Sequence, residues 1–210
     1  MDELLALIAQ ADDEEDVVVQ FRGAAWSDPS MSLRLAISVL DSPPHNWHVQ
    51  CEGVLAYQLN GEGSRWLELL SDHPLLWEFK CESASAYFYR APANADAAVG
   101  ALYDAHRKAV GAWIRFGRYL NNEADLVKLL SAGNGLLAQA PMPLLALYKD
   151  TLRLHGLELD IRFAHPPRIW NGSEWQDLPL ENATKALVLG TSYVIGDGWK
   201  AEKIDDALTP

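Results

Sequence analysis

Three side chains near the middle of the N-terminal half have the types that bind metal ions. His45, His48 and Cys51 recur at a spacing of three residues, and imidazole nitrogen and thiolate sulfur are ligands that zinc prefers. In an extended strand, however, odd and even positions point to opposite faces of the sheet, so His48 and Cys51 would lie on opposite sides. The sequence therefore predicts neither a metal site nor a cofactor.

A second group combines two carboxylates with a guanidinium group. Glu158, Asp160 and Arg162 alternate along a predicted strand and would share one face of it. Paired carboxylates can hold a divalent ion or act as acid and base. A solvent-exposed strand face with an internal ion pair explains the same spacing.

The third group is aromatic and belongs to the C-terminal part of the chain. Trp170 and Trp175, with Tyr193 and Trp199, could line a ligand groove, because tryptophan and tyrosine are favoured binding anchors. Core packing is the alternative explanation. Together with Glu158 and Asp160, the first two tryptophans form our candidate ligand groove.

Motifs of the common enzyme classes are absent from the sequence. It contains no Gly-x-Ser-x-Gly, Gly-x-x-x-x-Gly-Lys, His-Glu-x-x-His or Cys-x-x-Cys pattern. We therefore assign no catalytic residue and favour a function other than catalysis, although residues that converge from distant segments would escape such a search.

The most unusual feature of the sequence is the distribution of its charge. The net charge is −12, and residues 1–105 contain 17 acidic and 5 basic residues, whereas residues 106–210 contain 12 of each. The first half includes five consecutive acids, namely Asp12, Asp13, Glu14, Glu15 and Asp16. This asymmetry argues against nucleic acid as a partner and favours a basic protein attracted by the acidic half. An acidic surface that only keeps the protein in solution is the alternative.

The elements that would position these residues begin with a hairpin. Apolar residues alternate with polar ones from Met31 to Val39 and again from Trp47 to Leu59, which predicts two adjacent antiparallel strands. Similar patterns, including the one from Leu75 to Cys81, extend the prediction to a β-meander of about five or six strands in the first ninety residues.

Helices are predicted from about residue 94 to residue 155. Asn94 is suited to cap the first helix, Asn122 with Asp125 marks the start of another, and Pro143 begins a third that ends at Gly156. Residues 112–120 fit a strand or a helix equally well. Alternation then predicts a strand from Leu157 to Phe163, and Asn171-Gly172 predicts a tight turn in a hairpin at 168–178.

We therefore predict an α+β fold in a single domain of residues 1–210, or in two subdomains of residues 1–91 and 92–210. Apolar residues make up 49% of the chain, yet no apolar run reaches the length of a membrane span. The acidic N-terminal segment lacks the basic flank of a signal peptide, which predicts a cytoplasmic protein. Cys51 and Cys81 are expected to be reduced thiols in predicted strands.

These properties are typical of a small bacterial interaction protein. The leading hypothesis is a cytoplasmic protein-binding module, an immunity-type inhibitor that covers a basic partner and contacts it through residues 12–16. The alternative is a small-molecule-binding protein or enzyme with a cleft between the N-terminal sheet and the C-terminal α and β part. A third hypothesis is a homodimer formed through an exposed strand edge or aromatic patch.

Overall fold

The chain forms two compact units in a computed structural model that describes residues 1–11, 16–40, 42–61, 63–121 and 125–204. Unit 1 comprises Met1–His73 and Ala183–Pro210, and unit 2 comprises Pro74–Asn182. Unit 2 is thus an insertion between two segments of unit 1. The subdomain boundary predicted at residues 91 and 92 falls inside unit 2.

The elements follow one another in an α+β arrangement, as predicted. The first segment of unit 1 contains α1 Asp2–Ile8, β1 Val17–Ser27, β2 Ser30–Val39, β3 His45–Glu52, β4 Ala56–Gln58 and β5 Leu67–Leu70. Unit 2 contains α2 Trp77–Lys80, β6 Ser83–Phe88, α3 Ala95–Val110, α4 Leu126–Ser131, β7 Gly135–Pro141, α5 Met142–Arg153, β8 Asp160–His165, β9 Arg168–Trp170 and β10 Trp175–Asp177. The chain returns to unit 1 with β11 Lys185–Leu189, β12 Ser192–Gly196 and β13 Gly198–Ile204.

Unit 1 consists of two antiparallel four-stranded sheets, in the orders β1-β2-β3-β13 and β4-β12-β11-β5. The predicted central hairpin is confirmed, because β2 pairs with β3 and places Leu33 opposite Val49 and Leu35 opposite Trp47. These side chains are buried in a core to which both sheets and Leu4 of α1 contribute. Alternation of apolar and polar residues therefore gives β2 and β3 one buried face.

The second strand of that hairpin is shorter than predicted. Gly53 has a φ of +58°, a left-handed conformation that interrupts the strand after Glu52. The chain then turns, and the Val54 N–H donates to the carbonyl of Pro29 at 2.9 Å. As a result, residues 56–58 form β4 at the edge of the other sheet.

The prediction of a strand from Leu75 to Cys81 is wrong. Residues 74–76 form a 3-10 turn and residues 77–80 form α2. Leu75, Leu76 and Phe79 are all buried, and this spacing suits one side of a helical turn. Pro74 also lacks an N–H group, which suits the first position of a helical turn.

Unit 2 packs helices against an antiparallel sheet with the order β7-β6-β8. The predicted cap of α3 is confirmed, because Asn94 Oδ1 accepts from the Ala97 N–H at 3.0 Å. Asp125 caps α4, whereas Asn122 lies outside the described residues. Within the ambiguous segment 112–120, residues 116–118 form a 3-10 turn.

The start of the last predicted strand is shifted along the chain. Leu157 and Leu159 are buried, but the strand β8 begins only at Asp160. Its alternation is then interrupted, because Arg162 lies opposite Ser85 and His165 lies opposite Ser83, which leaves two residues of β8 facing one residue of β6. Such a bulge changes the direction of the side chains that follow it.

Candidate protein-interaction surfaces

The acidic charge follows the division into structural units almost as closely as it follows the midpoint of the sequence. Unit 1 contains 17 acidic and 6 basic residues, a net charge of −11, and unit 2 contains 12 acidic and 11 basic residues, a net charge of −1. The C-terminal segment brings Lys185, Lys200 and Lys203 into unit 1, but it brings four acids with them. Unit 1 therefore carries nearly all of the excess negative charge.

The predicted acidic contact is described only at its end. Asp12, Asp13, Glu14 and Glu15 lie outside the described residues, whereas Asp16 directly precedes β1. The backbone carbonyl of Asp16 accepts from the Leu40 N–H at 2.9 Å, which fixes the start of β1 beside the end of β2. The acidic run therefore leads directly into the outer strand of the first sheet.

The second half of β1 forms an exposed sheet edge. A bulge between Phe21 and Gly23 shifts the register with β2, and every residue from Ala24 to Ser27 is exposed. Before the bulge, Val19 exchanges two backbone hydrogen bonds of 2.7 Å with Ser64, which covers the edge at that point. The edge therefore opens after the bulge.

Two aromatic rings lie at the end of this edge. Trp26 of β1 and Tyr57 of β4 have ring centroids 5.5 Å apart, although their residues are 49% and 52% exposed. Trp26 lies opposite the buried Met31 of β2 and therefore belongs to the core-facing side of β1. The two rings thus contact each other and remain accessible to a partner.

A narrow apolar cleft lies beside the same strand. Its free space is about 10 Å³, roughly the room that one water molecule needs. It is lined by Phe21, Leu33, Leu35, Leu59, Leu67, Leu187, Leu189, Ser192, Tyr193 and Val194. Two of these residues lie directly opposite β1, since Leu35 pairs with Phe21 and Leu33 pairs with Ala24. The exposed edge and the cleft are therefore neighbours.

Unit 2 contains a separate aromatic surface on the hairpin of β9 and β10. Trp170 and Trp175 are cross-strand partners with ring centroids 5.7 Å apart, and both are more than half exposed. At the base of the hairpin, Arg168 Nε donates to Asp177 Oδ1 at 2.8 Å. The hairpin is confirmed, and its two tryptophans contact each other across the strands.

The turn of this hairpin is longer than the predicted tight turn. Four residues, 171–174, connect the strands, and Asn171 Oδ1 accepts from the N–H groups of Ser173 and Glu174 at 2.9 Å each. The side chain of Asn171 thus replaces part of the backbone bonding that a two-residue turn would provide.

The carboxylates of the predicted ligand groove lie outside the hairpin. Glu158 is exposed before β8, and Asp160 accepts from Arg162 Nε at 2.7 Å. This interaction is the internal ion pair that the spacing suggested. The described contacts thus form two pairs, one of Trp170 with Trp175 and one of Asp160 with Arg162. The ligand groove stays a prediction.

Sequence reasoning missed a third aromatic group, beside β8. The guanidinium carbon of Arg162 lies 5.7 Å from the ring centroid of Tyr89, and Phe163 packs edge-on against Tyr87 at 6.2 Å. Phe163 is 71% exposed and has a φ of +59°, which costs a non-glycine residue about 1–2 kcal/mol. Only the repeated aromatic types in residues 87–89 signalled this group in the sequence.

The fully buried histidine of unit 2 has a structural role. His106 Nε2 lies 2.7 Å from the carbonyl oxygen of Ile114, so this nitrogen carries the proton and donates. Its Nδ1 then accepts from the hydroxyl of Tyr148 at 2.8 Å. Burial raises the pKa of the Tyr148 hydroxyl, which keeps this donor protonated.

The side chains first considered for metal binding are separated as expected. Cys51 is buried in the core of unit 1, while His48 is half-buried on the opposite face of β3. Burial, followed by the negative charges of Asp197 and Glu52, raises the pKa of the Cys51 thiol to about 12. Within the described residues, no group of three or more His, Cys, Asp and Glu side chains is placed to hold a metal ion.

The two thiols should therefore differ in reactivity. We expect a water-soluble aromatic disulfide reagent at pH 8 to label Cys81, which is half-buried, and to leave the fully buried Cys51 unlabelled until the protein unfolds. Mass spectrometry of native and urea-unfolded samples measures this directly. Rapid labelling of Cys51 in the native protein would contradict the packing of β3.

No helix within the described ranges combines the length and apolar character needed to cross a membrane. Comparison of the chain with known protein families, with curated proteins and with solved structures finds no match.

Proposed function

We propose that the protein is a cytoplasmic protein-binding module whose acidic unit 1 engages a basic partner, in the manner of an immunity-type inhibitor. The observation that supports this proposal is the net charge of −11 on unit 1 beside −1 on unit 2. A charge concentrated on one unit directs a basic protein toward that unit during diffusion. The same field repels the phosphates of nucleic acids.

The proposed contact begins with the acidic run of residues 12–16 at the entrance to β1. Complementary charges can raise the association rate from about 10⁵–10⁶ to as much as about 10⁸–10⁹ M⁻¹s⁻¹ at low salt. The attraction extends only about 8 Å at physiological ionic strength. The proposal therefore requires an association rate that depends strongly on both charge and salt.

Charge reversal in unit 1 tests the proposal. We expect the simultaneous replacement of residues 12–16 by lysine to lower the association rate with the natural partner by at least about tenfold at low salt. The difference should shrink as salt is added, because ions screen both proteins equally. The partner is first identified by capture from the source organism on the wild-type protein, and rates are then measured by stopped flow.

A second variant controls for the change in total charge. It reverses five exposed acids of unit 2, namely Asp96, Asp104, Glu158, Glu174 and Glu181. Both variants change the net charge by the same amount, but only the first alters the acidic unit. Equal rates for the two variants, or rates that do not respond to salt, would exclude electrostatic recognition by unit 1.

A further inference from the structure

We infer that the exposed edge of β1, from Gly23 to Ser27, binds an extended basic segment of the partner by adding it to the first sheet as a strand. This inference rests on the proposed function, because it specifies how a basic partner is held after electrostatic attraction has brought it to unit 1. Its first support is the backbone of β1. In an antiparallel pair, every second residue turns its N–H and C=O away from its partner strand.

Within the part of the chain that the structure describes, the backbone of residues 23–27 pairs with β2 and β1 is the outer strand of its sheet. The outward backbone groups of this segment are therefore available to another strand. Five extended residues span about 17 Å, which matches a short strand. A segment of similar length could bind there through main-chain hydrogen bonds.

The residue types of this edge support the inference, because native proteins usually protect sheet edges with charges or proline. Residues 23–27 have the sequence Gly-Ala-Ala-Trp-Ser and carry no charge. The opposite edge of the same sheet, β13, contains Lys200, Glu202 and Lys203 and contacts α1. On the β1 edge, Arg22 precedes this uncharged segment and Asp28 and Pro29 follow it, so residues 23–27 are its unprotected part.

The cleft indicates what a bound segment would carry at alternate positions. Ala24 lies opposite Leu33 in the cleft wall, and Phe21, Leu59 and Tyr193 are half-buried along the cleft. A strand beside β1 would therefore place small apolar side chains over an apolar surface. The free space in the cleft is only about 10 Å³, far below the roughly 300–1,000 Å³ of typical small-molecule sites. The cleft therefore offers an apolar surface to a bound strand and not a pocket for a ligand.

Charge determines which of the conceivable segments binds. A second copy of this chain would bring another unit with a net charge of −11, and like charges oppose such pairing. A segment with lysine or arginine at alternate positions is attracted instead. The exposed rings of Trp26 and Tyr57 offer aromatic faces to its cations, an interaction worth about 0.5–1 kcal/mol at exposed sites.

A model peptide tests the inference on the full-length protein. The probe is acetyl-Lys-Val-Lys-Val-Lys-Val-Lys-amide, compared with the peptide in which glutamate replaces lysine and with a form N-methylated at alternate residues. We expect the lysine peptide to bind and to protect amides of residues 23–27 from hydrogen exchange. N-methylation should weaken binding by at least about tenfold, because it removes donors from one edge of the peptide.

Two protein variants locate the site. Ala24→Lys adds a charge to the exposed edge, and Ala6→Lys adds the same charge to an exposed position of α1 in the same unit. We expect Ala24→Lys to weaken binding of the lysine peptide by at least about tenfold, whereas Ala6→Lys changes it by less than about twofold. The N-methylated peptide needs no protein variant, so the test remains valid if Ala24→Lys disturbs folding.

The outcomes separate this inference from the proposed function. If the lysine peptide fails to bind, or binds equally after N-methylation and to both variants, the inference about β1 is overturned, while charge reversal of residues 12–16 still tests the proposed function. Equal binding of the glutamate peptide would overturn the preference for a basic segment. A dimer in sedimentation that Ala24→Lys dissociates would overturn the inference in favour of a second copy.

Discussion

Replacing Gly196 by alanine is expected to destabilise unit 1 by about 3 kcal/mol, the upper end of the usual cost of overpacking a core. A Cβ atom at this position would lie 2.3 Å from Cys51 Sγ and 2.8 Å from the backbone oxygen of Glu52. The sulfur belongs to a buried side chain and the oxygen belongs to β3, so neither atom can move without displacing the strand. Since small domains are stable by only about 5–15 kcal/mol, this is a large loss.

Urea unfolding followed by tryptophan fluorescence measures the effect, and Cys51 should also become reactive in the variant. Gly100 provides a matched control, because a Cβ atom in its place in α3 meets no atom within 4 Å. The same change to alanine at Gly100 should stabilise the helix by about 0.5–1 kcal/mol. An unchanged midpoint for Gly196→Ala would contradict the close approach of β12 and β3.

Replacing His106 by leucine is expected to destabilise unit 2 by about 2–6 kcal/mol. The substitution leaves the Tyr148 hydroxyl and the Ile114 carbonyl without the partner that each has in the wild type, at a fully buried site. Each buried polar group left without a hydrogen bond costs about 1–3 kcal/mol. Tyr148→Phe alone should cost less, because it leaves only the imidazole nitrogen without its donor.

The double variant His106→Leu with Tyr148→Phe tests whether the two side chains act together. The double variant should lose less stability than the sum of the two single losses, because both single losses include the same hydrogen bond between His106 and Tyr148. Tyr103→Phe, at an exposed position of α3, should change the stability by less than about 0.5 kcal/mol. Strict additivity in the cycle would show that His106 and Tyr148 are not coupled.

Local patterns in the sequence predicted those elements whose structure depends on local interactions. The alternation of β2 and β3 gives each strand one buried face, and Asn94 caps α3 through its own side chain. The pattern from Leu75 to Cys81 was misleading because Leu75 and Phe79 suit both an alternating strand and one side of a helical turn. There, contacts formed in the folded protein decide between the two.

The order of the strands depends on contacts between distant segments, and the sequence alone could not provide it. Leu70 of β5 lies opposite Ala186 of β11, and no local pattern marks this pairing. For the same reason, no residue type identified β1 as an outer strand. Charge is a sum over residues, so the acidic asymmetry was visible before the fold, whereas the exposed edge and the neighbouring cleft were not.

The insertion of unit 2 into unit 1 affects how the chain folds during synthesis. The ribosome completes all of residues 74–182 before it makes β11, β12 and β13, so unit 2 has its whole sequence available while unit 1 still lacks three strands. Until those strands emerge, β3 and β5 each lack a neighbour in their sheets. A nascent chain stalled before residue 185 would therefore expose apolar surface of unit 1 to chaperones.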